Sequence, residues 1–70
     1  MSQYVIVIEN EGDAWGAYAP DLPGLGVAGA SRQEVEALVQ EAVTEHVRML
    51  KELGEIVPPP RAQITYVSVA

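Results

Sequence analysis

The chain has no cysteine among its 70 residues, which excludes both a disulfide framework and a thiolate metal site. Basic side chains are scarce as well: four Lys and Arg stand against ten Asp and Glu, for a net charge of −6. That balance opposes binding to phosphate backbones and suits a basic partner, or simply keeps a small protein in solution. No apolar run approaches the roughly 18 residues of a membrane span. The opening MSQYVIVIEN lacks the basic region and small-residue cleavage site of a signal peptide. Cytoplasm is therefore the expected compartment, with neither a membrane nor a nucleic acid as direct partner.

Nucleotide and nucleophile chemistry are also missing. Gly24, Gly26 and Gly29 fit neither the dinucleotide fingerprint nor the P-loop, and no P-loop lysine follows them. Their expected use is a close backbone approach. His46 is the single histidine, and no serine or cysteine is arranged around it as a nucleophile with its base. Because it falls on an apolar helical stripe, it reads as a boundary side chain packed against a sheet. No cofactor is implied.

What remains is enough for one domain, residues 1–70, since a chain of this size buries only about 60% of its unfolded surface. Association with itself or a partner is expected to complete its stability. Tyr4 to Glu9 (YVIVIE) is apolar and β-branched, too short for a helix, and reads as a strand. Asn10-Glu11-Gly12-Asp13 supplies turn chemistry. Ala14 to Ala19 (AWGAYA) then returns as a second strand, with Trp15 and Tyr18 on opposite faces. Pro20-Asp21-Leu22-Pro23-Gly24 cannot continue a sheet and must redirect the chain. A short third strand follows at Leu25 to Gly29.

Ser31-Arg32-Gln33-Glu34 fits a capping box and opens a helix. Val35, Leu38, Val39, Ala42, His46, Met49, Leu50 and Leu53 recur at three- and four-residue steps as its core stripe, with Glu41, Glu45, Arg48 and Glu52 outward. Gly54 is the expected left-handed terminator, and Pro58-Pro59-Pro60 forbids resumption. Gln63 to Val69 (QITYVSV) alternates as a fourth strand. The expected fold is α+β, a two-layer βββαβ with a four-stranded mixed sheet in the order 3-2-1-4 and one helix on one face. Strand 4 would run parallel to strand 1 through a right-handed crossover. Strand 1 is apolar at both Tyr4/Ile6/Ile8 and Val5/Val7, so the face away from the helix is expected to meet another chain in a homo-oligomer, a dimer or tetramer.

This combination resembles the HicB-type antitoxins: the apolar first strand, the aromatic second strand, Pro20-Asp21-Leu22-Pro23-Gly24, the glycine-containing third strand, the capped helix with Glu41-Ala42, and Gly54 followed by Ile56 and Pro58. The turn at its distance from the helix is the most specific part. The resemblance spans essentially the full chain and implies a partial RNase H-like fold that neutralises HicA, a small basic mRNA-cleaving toxin. Many such antitoxins carry a C-terminal DNA-binding domain, which is not expected here because the sequence ends at Ala70 without a basic recognition helix.

The likeness to RNase H raises a rival, a metal-dependent nuclease relic in which carboxylates converge on Mg²⁺. Glu9, Asp13, Asp21 and Glu34 are the available acids, and nothing in their spacing forces convergence. No catalytic or metal-binding residue is assigned, and the protein is not expected to be an enzyme. A stand-alone oligomer with an unknown ligand is the third reading. The expected partner-binding residues are Tyr18, Pro20, Asp21, Leu22, Pro23 and Gly24, a rigid loop displaying Leu22 with aromatic area beside it, together with Glu41 and Glu45 of the acidic helix face. The alternatives are a structural bend that seats Leu22 and Leu25 in the core, and a merely solvated helix face.

Overall fold

Four elements are present in the computed structural model, which describes residues 3–70: β1 (Val7–Glu11), β2 (Ala14–Tyr18), β3 (Gly26–Gly29) and α1 (Arg32–Glu52). They form an α+β fold in which a three-stranded antiparallel sheet, ordered β1-β2-β3, is covered on one face by the helix. β1 and β2 pair in the register Val7 with Tyr18, Ile8 with Ala17 and Glu11 with Ala14, leaving Gly12 and Asp13 as a two-residue hairpin loop. β2 continues to β3 with Ala17 beside Val27 and Tyr18 beside Gly26.

The core lies between sheet and helix. Ala17, Val35 and Val39 are buried, and Ile6, Ile8, Trp15, Leu25, Val27 and Val43 pack around them. Because side chains alternate along a strand, the residues between those positions, Val7 and Tyr18, point to the opposite face. Trp15 and Tyr18 thus lie on opposite faces, as the alternation requires.

The helix ends follow their local chemistry. The Ser31 hydroxyl accepts the Glu34 N–H at 3.1 Å, and the Glu34 carboxylate accepts the Ala30 N–H at 3.1 Å. The carboxylate therefore reaches one residue further back than a capping box describes. A Cβ on Gly29 would stand 2.9 Å from Glu34 Cδ, so the bare glycine gives this side chain its path. At the other end Glu55 N–H donates to Leu50 O and Gly54 N–H to Lys51 O, with Gly54 at φ 72. This pair of bonds is the Schellman motif, and its left-handed residue is the one type without a Cβ penalty.

Three expectations need correction. The first strand begins at Val7, not Tyr4, because Pro20 bends its partner away and leaves residues 4–6 with nothing to pair with. The helical stripe is buried only in part: Met49 and Leu53 are 47% and 65% exposed. A 21-residue helix is about 31 Å long, whereas a five-residue strand covers about 17 Å, so the last helical turns overhang the sheet.

The third correction concerns the fourth strand. Residues 63–69 form no strand, and the sheet is neither four-stranded nor mixed, so the order 3-2-1-4 is not found. The physical reason lies just upstream of them. Tyr4 donates its hydroxyl to the Pro58 carbonyl, and Asp21 Oδ2 accepts the N–H groups of Arg61 and Ala62, both at 2.9 Å. Extended three residues past the Val7–Tyr18 pair, the β1–β2 register would set Tyr4 opposite Asp21. The returning chain is therefore held across the end of the sheet and does not run alongside β1. Its radius of gyration, 13.6 Å with extents of 47 × 28 × 19 Å, exceeds the roughly 11 Å of a tightly folded chain of this length.

Candidate functional site

The Pro20–Gly24 segment is two successive reverse turns. Leu22 N–H donates to Ala19 O at 3.0 Å and Leu25 N–H to Leu22 O at 3.3 Å. Each turn thus has a proline, Pro20 or Pro23, at its second position, where a φ near −65° is already set. Gly24 follows Pro23 at φ 84, the positive value that a type II turn demands at its third position. The double turn is rigid by composition.

Leu22, shared by both turns, is 1% exposed. The leucine expected on display is seated in the fold, which is the structural-bend alternative for that side chain, and Leu25 packs against the core cluster. Asp21 is half-buried and turned toward the returning chain. Pro20, Pro23 and Gly24 are left on the outside. Tyr18, 41% exposed, stands on the sheet face away from the helix between Val7 and Gly26. A ring beside a β-branched side chain and a bare glycine is a favourable cross-strand arrangement.

An open groove of about 470 Å³ runs between Gly24, Leu25 and Gly26 on one side and Ala42, Glu45, His46, Arg48, Met49 and Glu52 of the overhanging helix on the other. It brings together Gly24 and Glu45, two expected contact residues 21 positions apart in the chain. Glu41 is exposed on the helix and lies outside this groove, and Tyr18 lies on the far sheet face. The expected residues therefore form a partial cluster and two outliers.

The groove's charge is largely organised within the helix. Arg48 Nη2 donates to the Glu45 carboxylate, and Arg48 Nη1 lies 3.9 Å from Glu52 Oε1. Two carboxylates meet one guanidinium, so the wall stays acidic while part of its field is already satisfied. His46 is half-buried in the same wall. Arg48 and Met49 were not among the expected contact residues. The mismatch between helix length and strand length was the signal that would have found Met49.

The carboxylates considered for metal chemistry are dispersed. Glu9 lies on β1 and Asp13 in the hairpin loop, while Asp21 holds the returning chain and Glu34 caps the helix. Among the described residues no three acidic or histidine side chains gather as a cation site. No helix among them is long and apolar enough to cross a membrane.

Residues 4–69 match the family model described as the HicB-like antitoxin of bacterial toxin-antitoxin systems. The match covers almost the whole chain, and the protein belongs to the HicB-like antitoxin family. Membership implies a toxin partner in general, and with it a binding role. Neither a curated protein nor a solved structure matches the chain.

Proposed function

We propose that this chain is an antitoxin that neutralises a small basic mRNA-cleaving toxin of the HicA type by covering its active surface, in the cytoplasm and without contacting nucleic acid itself. The observation that carries the reading is the family match over residues 4–69. The acidic groove between the double turn and the helix is its physical counterpart. An RNA-cleaving surface must present positive charge, and an acidic wall meets it with complementary potential. Pro20, Pro23 and Gly24 offer a contact edge that loses little entropy on binding, with Tyr18, Glu41 and Glu45 extending it; Asp21 and Leu22 act by holding that edge in shape.

Self-association is part of the same reading. Val7 lies on the sheet face that α1 does not cover, and β1 is an edge strand. Two copies would cover what one helix leaves open.

Co-expression tests the antitoxin role. Cells carrying an inducible HicA-type toxin encoded beside this chain should resume growth when the chain is supplied. Continued arrest in the presence of folded, abundant chain would contradict the proposal.

A further inference from the structure

The segment that fails to pair within its own chain is the most strand-like unpaired stretch among the described residues. Ile64, Tyr66, Val67 and Val69 are 70%, 90%, 82% and 89% exposed. From Ala62 to Ala70 there is no charged residue, glycine or proline. A run of β-branched and aromatic residues without a gatekeeping charge is a pairing hazard when left open.

The same chain carries a matching vacancy. β1 is an edge strand, and its first two residues, Val7 and Ile8, together with the lead-in residues Tyr4 to Ile6, are apolar and uncharged. In a chain of net charge −6, these two stretches meet a second copy without bringing like charges together. A basic partner has an electrostatic reason to choose the acidic helix and none to choose this tail. Within one chain the two cannot meet in this arrangement, because Asp21 and Tyr4 hold residues 58–62 across the end of the sheet. Pro58-Pro59-Pro60 is a stiff spacer that resists folding back, and a short constrained hinge before a strand favours exchange between copies.

We propose that Gln63–Val69 pairs with the open edge of β1 in a second copy, so that two copies exchange C-terminal strands and each completes a four-stranded sheet. The exchange is reciprocal and closes on itself as a two-fold dimer, leaving no unpaired tail to extend a chain of molecules. It rests on the self-association proposed above and names the segment and edge that make it.

The test uses the full chain, wild type and Val67→Pro. Proline removes a ladder donor, and position 67, being exposed, allows the change without disturbing the helix-covered core. Sedimentation should show a dimer for wild type and a monomer for Val67→Pro, with far-ultraviolet circular dichroism and Trp15 fluorescence alike in both. Hydrogen exchange should show alternate amides within residues 64–68, those turned toward β1 of the other copy, protected in the wild-type dimer and unprotected on dilution to monomer. Isotope-filtered NMR on mixed labelled and unlabelled chains should place the Tyr66 ring against β1 of the other copy. A wild-type chain that stays monomeric with an unprotected tail overturns both the exchange and self-association. A dimer with an unprotected tail, or one that survives Val67→Pro, overturns the exchange and leaves self-association standing. Protection that persists in the monomer means the tail packs on its own chain, and protection that arises only on adding the basic toxin makes the toxin its occupant; either result overturns the proposal.

Discussion

Asp21 and Ala62 are 41 residues apart in sequence and joined by a 2.9 Å hydrogen bond, in which the aspartate Oδ2 accepts the alanine N–H. The same oxygen accepts from Arg61, so one carboxylate fixes the point at which the chain leaves the core. A residue read as part of a contact loop is also the latch of the C-terminal segment.

Asp21→Ala should free that segment. A charge-assisted bond is worth about 1.5–3 kcal/mol when well sheltered. Partial exposure at this end of the sheet reduces the expected loss to about 1 kcal/mol. Urea denaturation measures the change, and hydrogen exchange at Arg61 and Ala62 locates it. Unaltered protection of those two amides would show that the latch is not what holds them.

Leu22→Ala should act on stability before it acts on binding. Truncating a buried leucine costs about 2–5 kcal/mol through lost transfer energy and the cavity left behind. In a chain this small that is a large share of the whole. The outcome that contradicts the structure is a variant with wild-type denaturation midpoint and weakened toxin binding, since that would put the leucine on the surface.

Gly29→Ala should push the Glu34 side chain off its path to the Ala30 N–H, given the 2.9 Å approach to Cδ. Loss of a helix cap costs about 0.5–2 kcal/mol, and the flexible glutamate places this case at the lower end. Glu34→Gln in the same background separates the two causes. If the glycine acts only through the cap, the double variant is no less stable than the worse single one.

Glu41 and Glu45 should differ in their effect on association. Glu45 is paired with Arg48 in its own helix, while Glu41 has no ion pair among the described residues. Stopped-flow binding at low salt should therefore show a larger fall in on-rate for Glu41→Gln than for Glu45→Gln, with both differences shrinking as salt screens the field. Equal rates for wild type and Glu41→Gln would remove the acidic helix face from the encounter.

The features legible in the sequence are those decided by neighbours in the chain. Ser31 and Gly54 mark the helix ends because capping bonds span three to five residues, and the hairpin is announced by Asn10-Glu11-Gly12-Asp13, of which only Gly12 and Asp13 form the loop while Asn10 and Glu11 extend β1. The double turn follows from where Pro20, Pro23 and Gly24 stand. Features decided at long range were misread. Gln63–Val69 has the alternation of a strand, but alternation names no partner, and the bonds from Asp21 and Tyr4 that route the chain away span 40 to 54 residues. Leu22 looked displayable because a loop between prolines is on the surface by default; its burial depends on packing that the turn's sequence does not encode. The pairing of Gly24 with Glu45 across one groove was likewise invisible, since it depends on the angle at which the helix overhangs the sheet.

The most direct measurement is a titration of RNA cleavage. A purified HicA-type toxin encoded beside this chain is incubated with an mRNA substrate and rising amounts of the folded chain, at physiological salt. Cleavage should fall in proportion to the chain added and stop once each toxin has its partner, with no cleavage by the chain alone in Mg²⁺. Undiminished cleavage at a saturating excess of folded chain would contradict the account.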